Sequence, residues 1–430
     1  MRRLEAEYVV VGTGPGGATV SRELARRGRK VAMIERGKDW QRPIGRLSSL
    51  RTITHITRSI EGGIMGRGIT TGGSSVVFNG NAYDPPTWLP DECGIDLTEE
   101  ARETKREIGI KPLPEDFYRG WKGTLRLVQA AGDLDVHLAP QDKFIDPALC
   151  RNTCDDCMLG CRHGAKWTAR NYIKEALQNG ATLLTETTVT RVITGNGRAK
   201  GLEVRDKNGV SEIMADKVIL SAGGIGTPVI LLNSGIKNAG EGFFIDPMNV
   251  CMGVSRDGGT TGEMTFSFAS DEFVETQGFL VSNVGGRTVF GAQLVRKGSR
   301  YKSILNLMRY KGFMGMFTKI GDTPGGRIFP DGKISKPYNA EDREKFRQGT
   351  ELCKKILIGA GCKPSSITVA EDIGGHPGGA AAIGRVVGKN LESDVGGLYV
   401  CDASVFPRSP GRPPTLTIIS LAKWFAKRIC

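Results

Sequence analysis

The sequence predicts an α/β protein in which a Rossmann-like dinucleotide-binding domain is joined to a second α+β substrate domain built on an antiparallel sheet. Three observations predict it. Residues 7–37 contain a complete β-α-β unit, a second strand–glycine–helix turn spans 218–236, and strand-like stretches follow one another between 237 and 365. Alternating strands and helices favour a parallel sheet, whereas consecutive strands favour an antiparallel one.

The first β-α-β unit carries the pattern of a dinucleotide site. A β-branched strand, Tyr8–Val11, leads into a G-x-G-x-x-G turn and a helix, and the next strand, Val31–Ile34, ends at Glu35. The glycines of the turn are Gly12, Gly14 and Gly17. They let the backbone turn tightly and approach a pyrophosphate, which the N–H groups at the start of the helix would bind. Glu35 is placed to accept hydrogen bonds from the ribose hydroxyls of the adenosine.

Composition favours a globular enzyme that acts on small molecules. The 430 residues are 39% hydrophobic and 24% charged, and no apolar run reaches membrane-spanning length. The net charge is +13, but no nucleic-acid-binding motif accompanies it, so we expect no nucleic-acid partner. The N-terminus runs directly into a strand without a secretory signal, and we expect a cytoplasmic protein.

A glycine-rich stretch at 61–86 supplies a loop whose backbone can lie flat against a ligand. It contains Gly73, Ser74, Asn79 and Gly80, and the apolar residues 76–78 anchor it in a core. Together with the first β-α-β unit, this loop resembles the start of a glucose–methanol–choline (GMC) flavin oxidoreductase.

The resemblance implies that the dinucleotide is FAD and that Gly73, Ser74, Asn79 and Gly80 lie along the flavin ring. Some members attach FAD covalently through a histidine just after the serine pair. Val76 stands at that position here, so the resemblance implies non-covalent FAD.

Four cysteines within 12 residues, spaced C-x3-C-x2-C-x3-C, are the next signal. They are Cys150, Cys154, Cys157 and Cys161. Four soft ligands in one loop suit an iron–sulfur cluster, either 4Fe–4S or 3Fe–4S, or a tetrahedral zinc ion. Free thiols are the remaining alternative, because many GMC proteins carry a similar three-cysteine run and are not described as cluster proteins. His163 could serve as a further ligand or remain solvated.

Two further stretches extend the resemblance. Val189 falls where flavoproteins of this class pair their backbone with adenine. The turn after Val218–Leu220 begins Ser-Ala-Gly-Gly, and the resemblance implies that Ala222 contacts the cofactor. This turn resembles the first one physically, since its glycines also let a helix start close against the cofactor.

The second domain is predicted from consecutive strands at 250–254, 264–269, 279–284, 288–294 and 326–329. Residues 296–319 differ from these. They hold seven Lys or Arg and no acidic residue, interleaved with apolar side chains. Such a segment can contact an anionic membrane surface peripherally, whereas a substrate-channel or core helix with solvated lysines is the alternative.

The C-terminal region 366–430 carries the predicted chemistry. His376 lies in a glycine-rich loop, and an imidazole suits removal of a hydroxyl proton during hydride transfer from an alcohol carbon. His376 also matches the active-site histidine of the GMC family. The resemblance further implies that Asp402 and Ala403 close on the FAD pyrophosphate and ribityl region. It implies too that the helix beginning at Pro414 and Thr415 directs its N-terminus at the flavin.

At one position the sequence departs from the family pattern. The second active-site residue, usually His or Asn before P-x-x-T, aligns with Pro413, and Arg412 is adjacent. The substrate oxygen therefore loses its usual second hydrogen-bond partner unless Arg412 or another group replaces it.

The predicted organisation interleaves the two domains along the chain. Residues 1–86, 150–236 and 366–430 form the FAD-binding domain, with the cysteine-rich loop in its second part. Residues 87–149 are a substrate or cap segment, and 237–365 form the substrate domain.

Three functions are compatible with these features. The first is an FAD-dependent dehydrogenase that moves hydride between a substrate alcohol or C–H carbon and flavin N5, with electrons passing through the cysteine cluster to an external carrier, a protein or a quinone. The second is a flavin-dependent C=C reductase of an isoprenoid or other lipid at a membrane surface. The third is a non-catalytic electron-transfer subunit, and a plain FAD oxidase with structural cysteines is a further option.

Overall fold

The computed structural model describes residues 5–40, 52–152, 154, 157–286 and 310–429. The strands in this part of the chain are β1 (Glu5–Val11), β2 (Val31–Ile34), β3 (Thr54–Arg58), β4 (Ile64–Gly68), β5 (Lys111–Pro112), β6 (Ala139–Pro140), β7 (Asp142–Lys143), β8 (Thr182–Leu184), β9 (Thr188–Gly195), β10 (Arg198–Asp206), β11 (Gly209–Leu220), β12 (Glu241–Phe243), β13 (Pro247–Val254), β14 (Phe268–Ser270), β15 (Phe279–Val284), β16 (Phe313–Ile320), β17 (Gly326–Ile328), β18 (Ile334–Ser335), β19 (Thr368–Gly374) and β20 (Leu398–Val400). The α-helices are α1 (Pro15–Arg26), α2 (Thr98–Ile108), α3 (Glu115–Tyr118), α4 (Lys122–Gly132), α5 (Arg170–Gln178), α6 (Gly223–Asn233), α7 (Val274–Gln277), α8 (Ala340–Gly359) and α9 (Thr415–Ile429).

The first sheet confirms the predicted Rossmann-like domain. Its seven strands run β8-β2-β1-β11-β10-β9, and β20 also pairs with β11. The pairs among β8, β2, β1, β11 and β20 are parallel, while β9–β10–β11 form an antiparallel meander. Helix α1 packs against α5 and α9 over the central strands. The glycine turn therefore lies at the carboxyl end of the parallel strands, where α/β folds bind ligands.

The second sheet confirms the predicted antiparallel substrate domain. Its eight strands run β3-β4-β19-β13-β16-β15-β14-β6, and the strands from β19 to β6 pair antiparallel. Helix α8 packs against β13, β15 and β16. Strands β3, β4 and β6 come from chain before residue 237, so this sheet is assembled from distant segments.

Two of the strands predicted in this domain need comment. Residues 264–269 are extended only from Phe268, because Phe266 has a φ of 54° and breaks the extended backbone. The predicted strand at 288–294 lies outside the described residues.

Of the two interpretations of residues 296–319, burial in the core holds for strand β16, which is a strand rather than the helix expected, and membrane contact does not. Residues 313–320 form β16, and every side chain of this strand is buried between neighbouring strands and α8. The apolar residues that suggested a membrane surface are therefore core. Residues 296–309 lie outside the described residues. Among the helices that the structure describes, none combines the length and apolarity needed to cross a bilayer.

A buried ion-pair network fixes the dinucleotide-binding helix α1 against α2. Arg22 is fully buried and its guanidinium donates to both oxygens of Glu107, one of them at 3.1 Å. The Nζ of Lys423 on α9 donates to the same carboxylate at 2.6 Å. Burial opposes ionisation, but the hydrogen bonds from Arg22 and Lys423 outweigh it and lower the pKa of Glu107 to about 2.

We expect Glu107→Gln to lower thermal stability at pH 7 and to flatten its loss in acid. Because the folded pKa of about 2 is below the ordinary 4.5, this carboxylate stabilises the fold above pH 4.5 and loses that contribution as the pH falls toward 2. Arg22 keeps its ion pair with Glu23 at 2.6 Å in this variant, so we expect a loss below the about 3–5 kcal/mol that a buried charge left unpaired would cost. Thermal unfolding across that pH range measures both effects. Glu99→Gln on the same helix, where the carboxylate is exposed, is the control and should change stability by less than about 1 kcal/mol.

Candidate active site

In the glycine turn between β1 and α1, two of the three glycines pack closely against protein backbone and one faces open space. Gly12 has a φ of +93°, and a Cβ there would lie 2.3 Å from the Ser221 carbonyl oxygen. A Cβ on Gly17 would lie 2.0 Å from the Gly12 carbonyl oxygen. By contrast, a Cβ on Gly14 would meet no atom within 4 Å. The first and third glycines are thus needed for packing, while the second leaves backbone free to face an anion.

Glu35 lies beside this turn, at the end of β2. Its carboxylate accepts hydrogen bonds from the Thr13 amide at 3.1 Å, the Thr13 hydroxyl at 2.6 Å and the Gly37 amide at 2.7 Å. These contacts hold the carboxylate at the edge of the glycine turn. Its predicted bonds to a ribose stay a prediction.

The glycine-rich loop at 68–80 packs directly on the glycine turn. A Cβ on Gly73 would lie 2.8 Å from the Gly14 Cα, and the Ser74 hydroxyl accepts from the Gly68 amide at 3.1 Å. Gly80 has a φ of +71° and packs against Ile145. The structure therefore brings together the two stretches that the sequence assigned to one cofactor.

Three polar atoms in and beside this loop fit a bound cofactor. Arg67 Nε, Thr71 Oγ1 and Asn79 Oδ1 are buried and have no hydrogen-bond partner among the described residues. Burying such atoms without a partner costs about 1–3 kcal/mol each. A ligand with both acceptor and donor groups, as FAD has, would satisfy them, so the chemistry of this loop fits the cofactor.

The second glycine turn is tied to the end of β20 by one carboxylate. Asp402 Oδ2 accepts from the Gly223 amide at 2.8 Å and the Thr227 hydroxyl at 2.6 Å. Its Oδ1 accepts from the amide and hydroxyl of Ser404 at 2.8 and 2.6 Å. Burial raises the pKa of Asp402, and these four donors oppose that effect. Asp402 thus holds the second glycine turn against the end of β20, and its predicted role toward FAD stays a prediction.

The remaining predicted cofactor residues surround the same end of the sheet. Ala222 donates its amide to Thr227 at 3.0 Å, and Ala403 is buried in the turn after β20. Val189 is buried on β9. Pro414 accepts the Ile418 amide at 2.8 Å, so α9 starts at Thr415 as predicted.

His376 follows β19, in a part of the second domain that faces the first. Its Nδ1 lies 3.3 Å from Asp246 Oδ2 and 3.2 Å from Lys319 Nζ. Its backbone amide donates to the Ile245 carbonyl at 3.1 Å. Burial and the neighbouring Lys319 lower the pKa of His376 to about 4, against the opposing effect of Asp246. The imidazole is therefore neutral at pH 7, with Nδ1 engaged by the protein.

Behind His376 lies a buried polar network that sequence reasoning missed. Asp246 has a φ of 49°, and its Oδ1 accepts from the Ser409 hydroxyl and the Gly411 amide. Asp322 accepts from the amide of Asp246 at 2.9 Å, and Lys336 pairs with Asp322 at 3.1 Å. Burial raises the pKa of Asp322. A signal existed in the sequence, since Lys319 interrupts an apolar strand, but its partner is 73 residues away.

Arg412 stands next to the position of the missing second active-site residue, and its suggested role there stays a prediction. Its guanidinium donates to Glu275 at 3.0 Å. The neighbouring Gly411 contacts Asp246 instead, and Lys319 is the cation that contacts the ring of His376.

The four cysteines lie close to the glycine-rich loop. Cys150, Cys154, Cys157 and Cys161 line one cavity, together with His163 and Asn79. Burial and neighbouring thiols raise the pKa of Cys150 to about 12. Within the described part of the chain, no group of three or more His, Cys, Asp or Glu side chains is arranged to hold a metal ion. The predicted cysteine set is therefore together in space, but its side chains do not form a coordination site as they stand.

Two buried lysines hydrogen-bond the glycine-rich loop and the residues just after it, and one of them, Lys166, also lines the cysteine cavity. Lys166 Nζ donates to the Val76 carbonyl at 2.9 Å, the Phe78 carbonyl at 2.7 Å and the Cys157 carbonyl at 2.5 Å. Lys143 Nζ donates to Asn81 Oδ1 at 3.0 Å and reaches the Asn79 carbonyl at 3.3 Å. Burial lowers the pKa of Lys166 to about 8 and that of Lys143 to about 7. Neither lysine was predicted from the sequence.

Comparison with known proteins decides the family. Two models described as GMC oxidoreductase match residues 126–256 and 330–422, and together they cover just over half of the chain. The chain belongs to the GMC oxidoreductase family. Members of this family are FAD-dependent enzymes, so this GMC protein is an FAD-dependent oxidoreductase.

Similar proteins match nearly the whole length of the GMC chain. An uncharacterized protein of Methanocaldococcus jannaschii is 28% identical and covers 98% of this chain and 99% of the relative. A long-chain-alcohol oxidase of Arabidopsis thaliana is 25% identical over 99% of this chain and 68% of its own length. The crystal structure of pyridoxine 4-oxidase from Mesorbium loti superposes with a TM-score of 0.74 at 17% identity, covering 99% of both chains, and it supports the GMC fold alone.

Proposed function

We propose that this protein oxidises an alcohol, with FAD as the hydride acceptor and His376 as the residue that takes the hydroxyl proton. The observation that carries the proposal is the geometry of His376. Its Nδ1 is engaged by Asp246 and Lys319, which leaves Nε2 as the ring nitrogen for a substrate. A neutral imidazole held in this way can exchange a proton with a hydroxyl group at Nε2.

The chain's own residues define how the cofactor would be held. The start of α1 and the open side of Gly14 would receive the pyrophosphate, while the unpartnered atoms of Arg67, Thr71 and Asn79 would receive polar groups of the bound molecule. When bound, FAD supplies the hydride acceptor for the reaction. Val76 stands where a covalent histidine link would form, and this supports non-covalent binding.

The substrate class is proposed from the names of the relatives. They include long-chain-alcohol oxidases, a cholesterol oxidase of Acinetobacter baumannii and the pyridoxine oxidase structure. All are named for compounds that carry a hydroxyl group. A small-molecule or lipid alcohol is therefore the substrate class that we propose.

The electron acceptor separates an oxidase from a dehydrogenase. After anaerobic reduction by an alcohol, the protein would be mixed with either oxygen or an artificial electron carrier. We expect the carrier to restore the flavin absorption faster than oxygen does, as in a dehydrogenase that serves a protein or quinone acceptor. Rapid recovery in oxygen with release of peroxide would instead assign an oxidase.

A second candidate function is electron transfer through a metal cluster held by the four cysteines. It is supported by the cavity that these cysteines share with Asn79 and by Lys166, which hydrogen-bonds both the glycine-rich loop and Cys157. Two buried ammonium groups would also offset the negative charge of thiolate ligands. The side chains would have to close around the metal, since the described residues form no coordination site as they stand.

Iron and acid-labile sulfide analysis of protein purified without oxygen tests this second function. We expect iron and sulfide at a cluster's stoichiometry, with broad visible absorption beneath the flavin bands that dithionite bleaches. Cys157→Ser should remove them, while Cys93→Ser, at a buried cysteine elsewhere in the core, should not. Zinc without sulfide would assign a structural metal site, and flavin bands alone would make the cysteines free thiols.

Reduction of a lipid C=C bond is less well supported as a function than alcohol oxidation. Its membrane contact was proposed at 296–319, and the described part of that segment is the buried strand β16. The departure at Pro413 still distinguishes this chain, because Lys319 contacts Nδ1 of His376 and not Nε2, the ring nitrogen that we assign to the substrate.

A further inference from the structure

Lys319 contacts His376 from within the core of the second sheet, and no motif pointed to it. Its side chain is 1% exposed, and its Nζ lies 3.2 Å from His376 Nδ1. The same Nζ donates to the backbone carbonyl of Asp246. A lysine is rarely buried without polar partners because desolvating the ammonium is costly, and the partners of Lys319 are Asp246 and the ring of His376.

The charged groups around Lys319 come from five separate segments. Asp246 precedes β13, Asp322 follows β16, Lys336 follows β18, and His376 follows β19. The loop at 409–411 before α9 contributes a hydroxyl and an amide to Asp246. With both lysines protonated, the two carboxylates and two ammonium groups balance. Loss of one proton from this cluster therefore leaves a single net negative charge in the core.

Two arrangements of protons fit the contacts of His376 Nδ1. In the first, the Lys319 ammonium donates to Nδ1, and the ring proton is on Nε2. In the second, Nδ1 carries the proton and faces Asp246 Oδ2 and the lone pair of a neutral Lys319 amine, so Nε2 presents a lone pair. When the ring and Lys319 exchange a proton in this way, the protonation of Lys319 sets whether Nε2 gives or takes a proton.

We propose that Lys319 is the proton reservoir of His376, and that the two side chains form a relay between the substrate oxygen and the core. The inference rests on the proposed alcohol oxidation. During oxidation, the alcohol O–H bond breaks and its proton passes to Nε2. The Nδ1 proton then passes to the amine of Lys319, and the C–H hydrogen leaves with its electron pair to the hydride acceptor. The products are a carbonyl compound and a Lys319 ammonium.

The relay explains how a weakly basic imidazole can serve as a base. Burial lowers the pKa of His376 to about 4, which makes a lasting imidazolium unfavourable at pH 7. Burial also lowers the pKa of Lys319, while Asp246 and Asp322 raise it. In the relay the ring is neutral before and after proton transfer, and the positive charge ends on Lys319 between two carboxylates. Lys319 is on this account a positioning residue that acts through His376.

Nitrogen-15 NMR of histidine and lysine side chains tests the relay without any substrate. The chain has only four histidines, so the ring signals of His376 can be assigned by its absence in His376→Asn. We expect the His376 ring to exchange its Nε2–H tautomer for the Nδ1–H tautomer as the pH rises. The midpoint should coincide with the titration of Lys319 Nζ.

Two substitutions should fix opposite tautomers. Lys319→Met removes the donor and should leave Nδ1–H facing Asp246 at every pH. Lys319→Arg keeps a permanent positive charge and should hold Nε2–H at every pH. If one variant does not fold, the other still tests the relay. Lys423→Met removes an equally buried lysine, paired with Glu103 and Glu107, and should leave the His376 signals unchanged.

The outcomes separate the relay from the proposed function. A His376 tautomer that is the same in wild type, Lys319→Met and Lys319→Arg overturns the relay, whether or not alcohols are oxidised. A tautomer that follows Lys319 in a protein that oxidises no alcohol keeps the coupling and removes the proposed reaction. In the active enzyme, single-turnover oxidation should rise with pH in wild type and lose that dependence in Lys319→Met.

Discussion

Replacing His376 with alanine should slow reduction of the bound flavin by an alcohol by about 100-fold or more. The substitution removes Nε2, the only ring nitrogen that the contacts with Asp246 and Lys319 leave for a substrate. Without it, the chain loses the base that we assign to the hydroxyl proton. The measurement is the rate at which the flavin absorption bleaches after anaerobic rapid mixing with the alcohol.

A matched control separates loss of the base from loss of structure. His137→Ala changes an exposed histidine in the loop before β6 and should leave the reduction rate unchanged. FAD content should be equal in both variants, because the recorded contacts of His376 are with protein groups of the second domain. Reduction of His376→Ala at the wild-type rate would remove this residue from the mechanism.

Alanine at Gly14 and alanine at Gly17 in the first turn should affect different properties, the first FAD binding and the second the stability of the fold. A Cβ on Gly14 meets no protein atom within 4 Å, and its φ of −67° suits alanine. Gly14→Ala should therefore fold, losing at most about 1 kcal/mol at the start of α1, but its methyl group occupies the space that we assign to the pyrophosphate. FAD binding should weaken by about 1–3 kcal/mol, which corresponds to roughly 5- to 150-fold.

Gly17→Ala should instead destabilise the fold itself. The new Cβ would lie 2.0 Å from the Gly12 carbonyl oxygen, so backbone of β1 and α1 must move apart. We expect a lower unfolding temperature for the protein freed of FAD, measured beside wild type and Gly14→Ala. Unaltered FAD affinity in Gly14→Ala would show that the cofactor does not approach this side of the turn.

Much of the first domain could be predicted because its signal is local. The strand, the glycines, the helix and Glu35 follow one another within 31 residues, and each has a physical reason at its own position. The signal that singled out His376 is local too, since this residue stands in a glycine-rich loop, and its catalytic role stays a prediction.

The network around His376 could not be predicted, because it is made of residues that are far apart in the chain. Asp246 and His376 are separated by 130 positions, and Lys319 reaches both from the end of the buried strand β16. Strand β16 itself was misread, because a strand buried on both faces gives a continuous apolar run without alternation. Its apolar residues beside Lys319 and the preceding basic residues then resembled a surface segment.

For the cysteine loop, the sequence indicated which residues are neighbours but not what surrounds them. The sequence predicted that four thiols would meet, and they line one cavity. Spacing alone could not reveal the two buried lysines nearby. Lys166 lines the cavity and hydrogen-bonds both Cys157 and the glycine-rich loop. Lys143 hydrogen-bonds the carbonyl of Asn79, a residue that also lines the cavity. The surroundings of the thiols therefore depend on residues that the spacing of the motif does not indicate.

The central claim is that a hydrogen on an alcohol carbon is transferred to the bound flavin. Single-turnover anaerobic mixing of the FAD-loaded enzyme with an alcohol deuterated at that carbon, beside the unlabelled alcohol, tests this claim most directly. The account predicts that alcohols bleach the flavin absorption and that the deuterated compound does so several times more slowly. Absence of bleaching across aliphatic, sterol and aromatic alcohols, or equal rates with and without deuterium, would contradict it.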